Sequence, residues 1–90
     1  MLEVVLTNNF KRDMKAASKR GRDLEKLNTV VEMLANQQQL PAGYRDHNLT
    51  GNYEGFRECH ITSDWLLVYR IDKTELVLLL FRTGSHSDLF

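Results

Sequence analysis

The sequence has few residues that break or cross-link a chain, no excess of charge and no long apolar segment. Of its 90 residues, one is proline, five are glycine and one is cysteine, and 42% are hydrophobic. This composition excludes collagen-like, low-complexity and disordered proteins and predicts one globular domain over residues 1–90. A single cysteine, Cys59, cannot form an internal disulfide and fits a reducing compartment, so a cytoplasmic protein is expected.

Membrane insertion and secretion find no support in the sequence. The longest apolar run, Leu76–Phe81, has six residues, whereas a helix that spans a bilayer needs about 18. The apolar segment Leu2–Leu6 is too short for a signal peptide and contains Glu3. No membrane partner is therefore expected.

The absence of net charge hides an uneven distribution of charged side chains. Lys+Arg and Asp+Glu each number 12 over the chain, but residues 11–26 contain seven basic side chains and only three acidic ones. A solvated helical face explains this segment, and so does a patch that binds RNA or phosphate. The charge pattern alone leaves both interpretations open.

Hydrophobic periodicity predicts a two-layer α+β domain. Alternation over residues 2–6 indicates a strand, and helical spacing predicts helices from about 7 to 20 and 23 to 36, folded into an antiparallel hairpin at Gly21. After Pro41 the period changes to two, which predicts strands at Phe56–Ile61, Trp65–Ile71 and Glu75–Arg82. The order is β-α-α-β-β-β, with the helix hairpin packed on a small twisted sheet.

The last predicted strand is apolar on both faces. We therefore expect it to be central, with the helix pair covering one face and another part of the chain covering the opposite face. A tight turn at Asp72–Lys73 is expected to join it to the preceding strand.

Five polar side chains that suit catalysis lie where predicted strands end or turns begin. They are His47, His60, Asp64, Arg82 and His86. Alternation along the strand 56–61 directs His60 away from the face that carries Cys59 and Ile61, so this imidazole can point away from the core.

Two imidazoles and a guanidinium provide what RNA cleavage by an internal hydroxyl requires. One histidine can deprotonate the ribose 2′-hydroxyl and another can protonate the leaving 5′ oxygen. Arg82 can bind two phosphate oxygens and stabilise the charge that develops on them. Aromatic residues near the histidines, among them Trp65 and Phe90, can stack on unpaired bases. This chemistry needs no metal and no cofactor.

Several of these residues also have a purely structural explanation. Trp65 fits a core position on its strand, and Phe90 can simply pack the end of the chain. Arg82 can form an ion pair with Asp88 or Glu58. The residues by themselves do not decide between these roles and catalysis.

Two other kinds of chemistry are disfavoured. Cys59 alternates inward, which is typical of a small core residue and not of a nucleophile. A zinc site built from the three histidines and Asp64 does not match any compact ligand spacing, and the chain has no C-x-x-C motif.

Four segments in the second half of the chain resemble the YafQ branch of the RelE/ParE toxin superfamily. They are R-D-H-N-L-T-G at 45–51, G-F-R-E-C-H at 55–60, D-W-L-L-V-Y at 64–69 and R-T-G-S-H at 82–86, followed by a Leu-Phe pair. The resemblance extends over the whole chain, and the ordered combination of D-H-x-L-x-G, H-x-x-x-D-W and R-T-G-x-H is specific. The helical half is weaker evidence, because basic amphipathic hairpins are common.

The resemblance implies a RelE-like α+β fold and a bacterial type II toxin that cuts messenger RNA in the A site of the 70S ribosome. It assigns proton transfer to His47, His60, Asp64 and His86. It assigns phosphate binding to Arg82, and contact with the codon to Trp65 and Phe90. A cognate antitoxin is implied as the protein partner. The basic segment then becomes a candidate for contacts with ribosomal RNA, through Lys11, Arg12, Lys15 and Lys19.

Two alternatives come from other functional classes. The same superfamily contains toxins that inhibit DNA gyrase without cutting nucleic acid, and a non-catalytic antitoxin-binding module is a third interpretation. Three histidines at the family's catalytic positions favour the nuclease, because a binding surface does not need groups that titrate near neutral pH.

Overall fold

A computed structural model describes all 90 residues of the chain, in a five-stranded sheet with three helices. In chain order the strands and helices are β1 (Glu3–Leu6), α1 (Asn8–Lys19), α2 (Leu24–Ala35), β2 (His47–Asn48), β3 (Arg57–Thr62), β4 (Trp65–Asp72), β5 (Val77–Gly84) and α3 (His86–Leu89). Two short 3₁₀ turns, Ala42–Tyr44 and Gly51–Tyr53, flank β2. None of the helices is long and apolar enough to cross a membrane.

The strands lie in the order β1-β5-β4-β3-β2. β1 pairs with β5 in parallel, and the other neighbours are antiparallel. The chain between this parallel pair runs through both long helices and then through β2, β3 and β4. The predicted α+β fold with two N-terminal helices is therefore confirmed, and the structure adds two short elements, β2 and α3.

The two long helices begin and end at residues that satisfy their free backbone groups. The hydroxyl of Thr7 accepts a hydrogen bond from the Phe10 N–H at 3.0 Å, and the carboxylate of Asp23 accepts one from the Glu25 N–H at the same distance. Between the helices the backbone turns at Gly21, whose φ of 75° favours glycine. These local signals explain why the predicted helix bounds are close to the observed ones.

The main core lies between the helices and one face of the sheet. Phe10 from α1 and Leu27 from α2 pack there with every second residue of β4, and all are almost fully buried. The β4 residues in this cluster are Trp65, Leu67 and Tyr69. Alternation along the strand gives this face its apolar character.

A smaller apolar cluster covers the opposite face. Leu66 and Val68 of β4 pack there against Leu89 of α3, with Phe56 and Phe81 at the margin. The sequence predicted that another part of the chain covers the face opposite the helix pair. That part is α3 together with the segment before β3. β5 pairs with β1 on one side and with β4 on the other, so it lies inside the sheet as predicted, while β4 occupies the middle of the strand order.

The connection between β4 and β5 is longer than the predicted tight turn at Asp72–Lys73. The carboxylate of Asp72 accepts hydrogen bonds from the N–H groups of Thr74 and Glu75 at 2.9 and 3.0 Å. Leu76 then adopts a φ of 56°. Because these residues are held in the turn, β5 begins at Val77 and not at Glu75.

Candidate active site

Two imidazoles, those of His60 and His86, face each other beside the smaller apolar cluster. Their ring centroids are 6.0 Å apart. The strand register explains this proximity, because His60 pairs with Leu66 and Leu66 in turn pairs with Gly84. The chain turns into α3 directly after Gly84, which brings His86 over the row that contains His60.

His47 belongs to the neighbouring strand and contacts a buried carboxylate. Its Nε2 lies 3.1 Å from Oε2 of Glu58, the residue opposite it in the β2–β3 pair. Its Nδ1 lies 2.7 Å from the carbonyl oxygen of Arg45, to which it donates in the tautomer that carries hydrogen there. Both ring nitrogens therefore have a partner that orients the imidazole.

Glu58 is a member of this group that the sequence did not single out as a site residue. Its side chain is only 5% exposed, and Oε1 has no hydrogen-bond partner. A buried carboxylate oxygen without a partner is costly for stability, and such groups concentrate at functional sites. The available signal was alternation, because Glu58 and His60 are two residues apart on β3 and share a face.

The helix that carries His86 is held in place by Asp88. This carboxylate accepts the N–H of Ser85, whose hydroxyl accepts the N–H of Asp88 in return. Arg20, the residue after α1, donates to the same carboxylate at 2.7 Å. This hydrogen bond holds the pKa of Asp88 well below its usual range. The link therefore stabilises the fold at neutral pH and is lost only when the pH falls through that lowered pKa.

Substituting Gly84 with alanine should shift α3 and reduce the RNA cleavage that the sequence predicts. A Cβ at this position would lie 3.0 Å from Cβ of Asp88 and 3.4 Å from Leu89, so α3 must give by a few tenths of an ångström. A misplacement of about 1 Å at a catalytic group can cost on the order of 10²-fold in rate, and this smaller shift should cost about tenfold or less. Single-turnover cleavage measures this effect, and Gly43→Ala is the control because its Cβ would meet nothing within 4 Å. Equal rates for the two variants would contradict the role given to α3.

The guanidinium of Arg82 forms its ion pair with a carboxylate of α1. Its Nε and Nη2 donate to the carboxylate of Asp13 on α1 at 2.7 and 3.1 Å. Donating these hydrogen bonds to Asp13 raises the pKa of the guanidinium above its ordinary value. The predicted alternatives, an ion pair with Asp88 or Glu58, do not form. A bulge interrupts alternation in β5, since Val68 is opposite Arg82 whereas Tyr69 is opposite Leu80, so Arg82 does not share the face of Leu78 and Leu80.

Asp64 and Trp65, both of which the resemblance placed in the site, differ in exposure: the side chain of Asp64 is exposed and that of Trp65 is buried. Asp64 is exposed in the β3–β4 turn and forms no ion pair. Trp65 is 1% exposed within the main core, with the guanidinium of Arg22 5.4 Å from its ring centroid. In this conformation its indole cannot stack on a base, so the expected codon contact is replaced by a core position.

Phe90 is an aromatic group that remains available to a substrate. It is 55% exposed and lies 6.1 Å from the His86 ring, between centroids. Tyr53 packs edge-on against it at 5.2 Å. The exposed ring therefore sits directly beside the imidazole pair.

The basic side chains of α1 form an exposed face. All four residues expected to contact ribosomal RNA are exposed: Lys11, Arg12, Lys15 and Lys19. Asp13 of the same helix is directed inward to Arg82, so it neutralises little of this face.

Cys59 lies in the main core, as alternation indicates. Burial raises the pKa of its thiol to about 12. A thiol in this environment is not an activated nucleophile. The chain also has no group of three or more His, Cys, Asp or Glu residues arranged to hold a metal ion.

Similarity to solved structures defines the class of protein. A metal-bound toxin from Helicobacter pylori superimposes with a TM-score of 0.95 at 48% identity, and each chain covers 100% of the other. In the Escherichia coli DinJ-YafQ complex a chain superimposes with a TM-score of 0.90 at 35% identity, covering 100% of this chain and 99% of that one. The fold is therefore that of the RelE/YafQ-like bacterial toxins.

Sequence comparison identifies the particular family. The family described as the bacterial toxin of a type II toxin-antitoxin system, YafQ, matches residues 2–90. The mRNA interferase toxin YafQ of E. coli strain K12 is 37% identical over 89 residues, which are 98% of this chain and 95% of the relative. The chain belongs to the YafQ family of type II toxins and is a homologue of an mRNA interferase.

Proposed function

We propose that this toxin cleaves messenger RNA in the A site of the ribosome by attack of a ribose 2′-hydroxyl on the adjacent phosphodiester. The observation that carries the proposal is the pair of imidazoles, His60 and His86, 6.0 Å apart beside the exposed ring of Phe90. Both rings can reach one phosphodiester across this gap, and Phe90 can stack on a neighbouring base.

In this mechanism His86 transfers one proton and a second group transfers the other. His60 is the nearest partner, while His47 and Asp64 are the other groups that the resemblance assigns to proton transfer. The 2′-hydroxyl loses its proton as the 2′-oxygen attacks phosphorus, and the 5′-oxygen gains one as its bond to phosphorus breaks. The products are a 2′,3′-cyclic phosphate and a 5′-hydroxyl, so atoms and charge balance.

Arg82 is proposed to stabilise charge on the phosphate. Its contacts with Asp13 use Nε and Nη2, which leaves the hydrogens of Nη1 free to donate. The ion pair restricts the guanidinium, so its donation requires little further ordering. A phosphate that reaches this group completes the acid, base and cation that the reaction requires.

The reaction is proposed to proceed without a metal ion, because side chains supply each of these three roles. The H. pylori relative is described as metal-bound, which makes metal removal a necessary test. We expect that dialysis against a chelator leaves the cleavage rate within about twofold of the untreated enzyme, measured with the ribosomes kept in their own magnesium buffer. A loss of activity that added zinc or copper restores would contradict metal independence.

The basic face of α1 is proposed to bind ribosomal RNA. Its lysines are exposed, and each phosphate contact of this kind contributes a salt-dependent increment of affinity. Reversing Lys11, Lys15 and Lys19 to glutamate should weaken ribosome binding by more than tenfold while thermal stability stays unchanged. Glu32, exposed on α2, provides a control position for reversal to lysine. Unchanged sedimentation with ribosomes would remove this proposal.

A cognate antitoxin is the proposed protein partner. The YafQ relative of E. coli has been solved in a complex with DinJ, and an antitoxin of this chain is expected to bury or displace the imidazole pair. Acidic segments of such a partner would complement the exposed lysines of α1.

The experiment that tests the function maps 5′ ends of a message in a purified translation system with and without the protein. Cuts that appear at defined codon positions, only on translated message, support the proposal. Relaxed plasmid DNA in arrested cells, with intact message, would instead indicate gyrase inhibition. The absence of both growth arrest and cleavage would indicate a non-catalytic binding module.

A further inference from the structure

A groove on the far side of His60 contains unpaired positive charge. It has a volume of ≈ 580 Å³ and is lined by Lys26, Tyr44, Arg45, His60, Thr62 and Ser63, among others, with no acidic residue. Neither Lys26 nor Arg45 forms an ion pair. Such a size is typical of ligand clefts, and the charge indicates an anionic occupant.

The groove is continuous with the imidazole pair. His60 lines it and also faces His86. Arg45 lines it as well, and the carbonyl oxygen of the same residue orients His47. At the other end Ser63 precedes Asp64, so the groove connects the imidazoles with the β3–β4 turn.

The backbone keeps the groove open and places its cations. β2 pairs only with Arg57 and Glu58, so the outer edge of β3 from residue 59 onward has no strand beside it. The 3₁₀ turn Ala42–Tyr44 packs near this edge and ends at Arg45, whose φ of 51° is left-handed. This conformation reverses the chain and leaves the arginine side chain at the groove.

We propose that this groove is a second RNA subsite, which holds backbone phosphates of the single strand next to the scissile linkage. The inference rests on the proposed RNA cleavage and extends it. Lys26 and Arg45 are the phosphate ligands, while the hydroxyls of Thr62 and Ser63 are further donors. A positively charged groove that tracks a strand away from a catalytic pair positions the message without reading its sequence.

Binding of a short single-stranded RNA with 2′-O-methyl riboses tests the subsite without catalysis, because this RNA lacks the attacking hydroxyl. Lys26→Gln and Arg45→Gln should each weaken binding about fivefold near 0.1 M salt and reduce the salt slope by about 0.7. Lys73→Gln, an exposed lysine at the opposite end of β4, should change neither quantity. In the wild-type protein the amide resonances of Thr62 and Ser63 should shift on RNA addition.

The outcomes separate this inference from the proposed function. The subsite would be overturned if the groove variants bind RNA as tightly as the Lys73 control, or if the amide resonances do not shift. Either result would favour a protein strand that pairs with the open edge of β3. In cleavage assays the groove variants should raise the half-saturating message concentration, and Lys73→Gln should not. A wild-type protein that binds RNA through the groove but never cuts message would refute the nuclease and not the groove.

Discussion

Replacing His86 with alanine should lower the maximal rate of message cleavage by about 10²–10⁴-fold, the usual contribution of a positioned general acid or base. The half-saturating message concentration should change little, because the exposed Phe90 ring and the basic residues remain. One limb of the pH–rate profile should disappear, because only one of the two proton-transfer groups remains. Single-turnover assays over a range of pH measure both effects.

Control variants distinguish loss of proton transfer from loss of structure. His86→Gln keeps a polar side chain at the start of α3 and should be as inactive as the alanine variant. Ser87→Ala, also exposed on α3, should retain most activity. If His86→Ala cleaves within threefold of wild type and its pH profile is unchanged, His86 is not one of the two proton-transfer groups.

Replacing Trp65 with alanine should destabilise the fold by about 3–5 kcal/mol, as expected when a buried aromatic side chain is removed. The indole is 1% exposed and also lies under the Arg22 guanidinium. A domain of this size has only about 5–15 kcal/mol of stability in total, so much of the variant protein should unfold near 37 °C. Urea denaturation measures the free energy of unfolding.

Phe90→Ala removes an aromatic side chain that is exposed, whereas Trp65→Ala removes one that is buried. Phe90 is 55% exposed, and surface substitutions usually change stability by less than about 0.5 kcal/mol. Its loss should instead weaken message binding. A Trp65→Ala variant that stays within 1 kcal/mol of wild-type stability and loses only RNA affinity would restore the codon contact that the resemblance implied.

Local sequence patterns were sufficient for the main elements because each buries one face. A helical spacing of apolar residues and a period of two each specify which side chains share a face, so both long helices and the three long strands could be predicted. β2 has two residues and α3 has four. Neither is long enough to show a period, and both were therefore missed although α3 carries His86.

Contacts distant in sequence could not be predicted in the same way. Nothing local indicates that the partner of Arg82 is Asp13, 69 residues away. The Arg20–Asp88 link, 68 residues apart, is a similar case. The role of Glu58 depends on its burial, which follows only from the packing of β2 and β3.

The sequence by itself determined the α+β class, the inward and outward faces of β4, and the identity of the imidazoles, because these depend on residue type and short-range periodicity. The tertiary structure alone decided that His60 meets His86, that Glu58 supports His47, and that Trp65 belongs to the core. The physical reason is that periodicity specifies a face within one element, while the order and register of the strands specify which elements are neighbours.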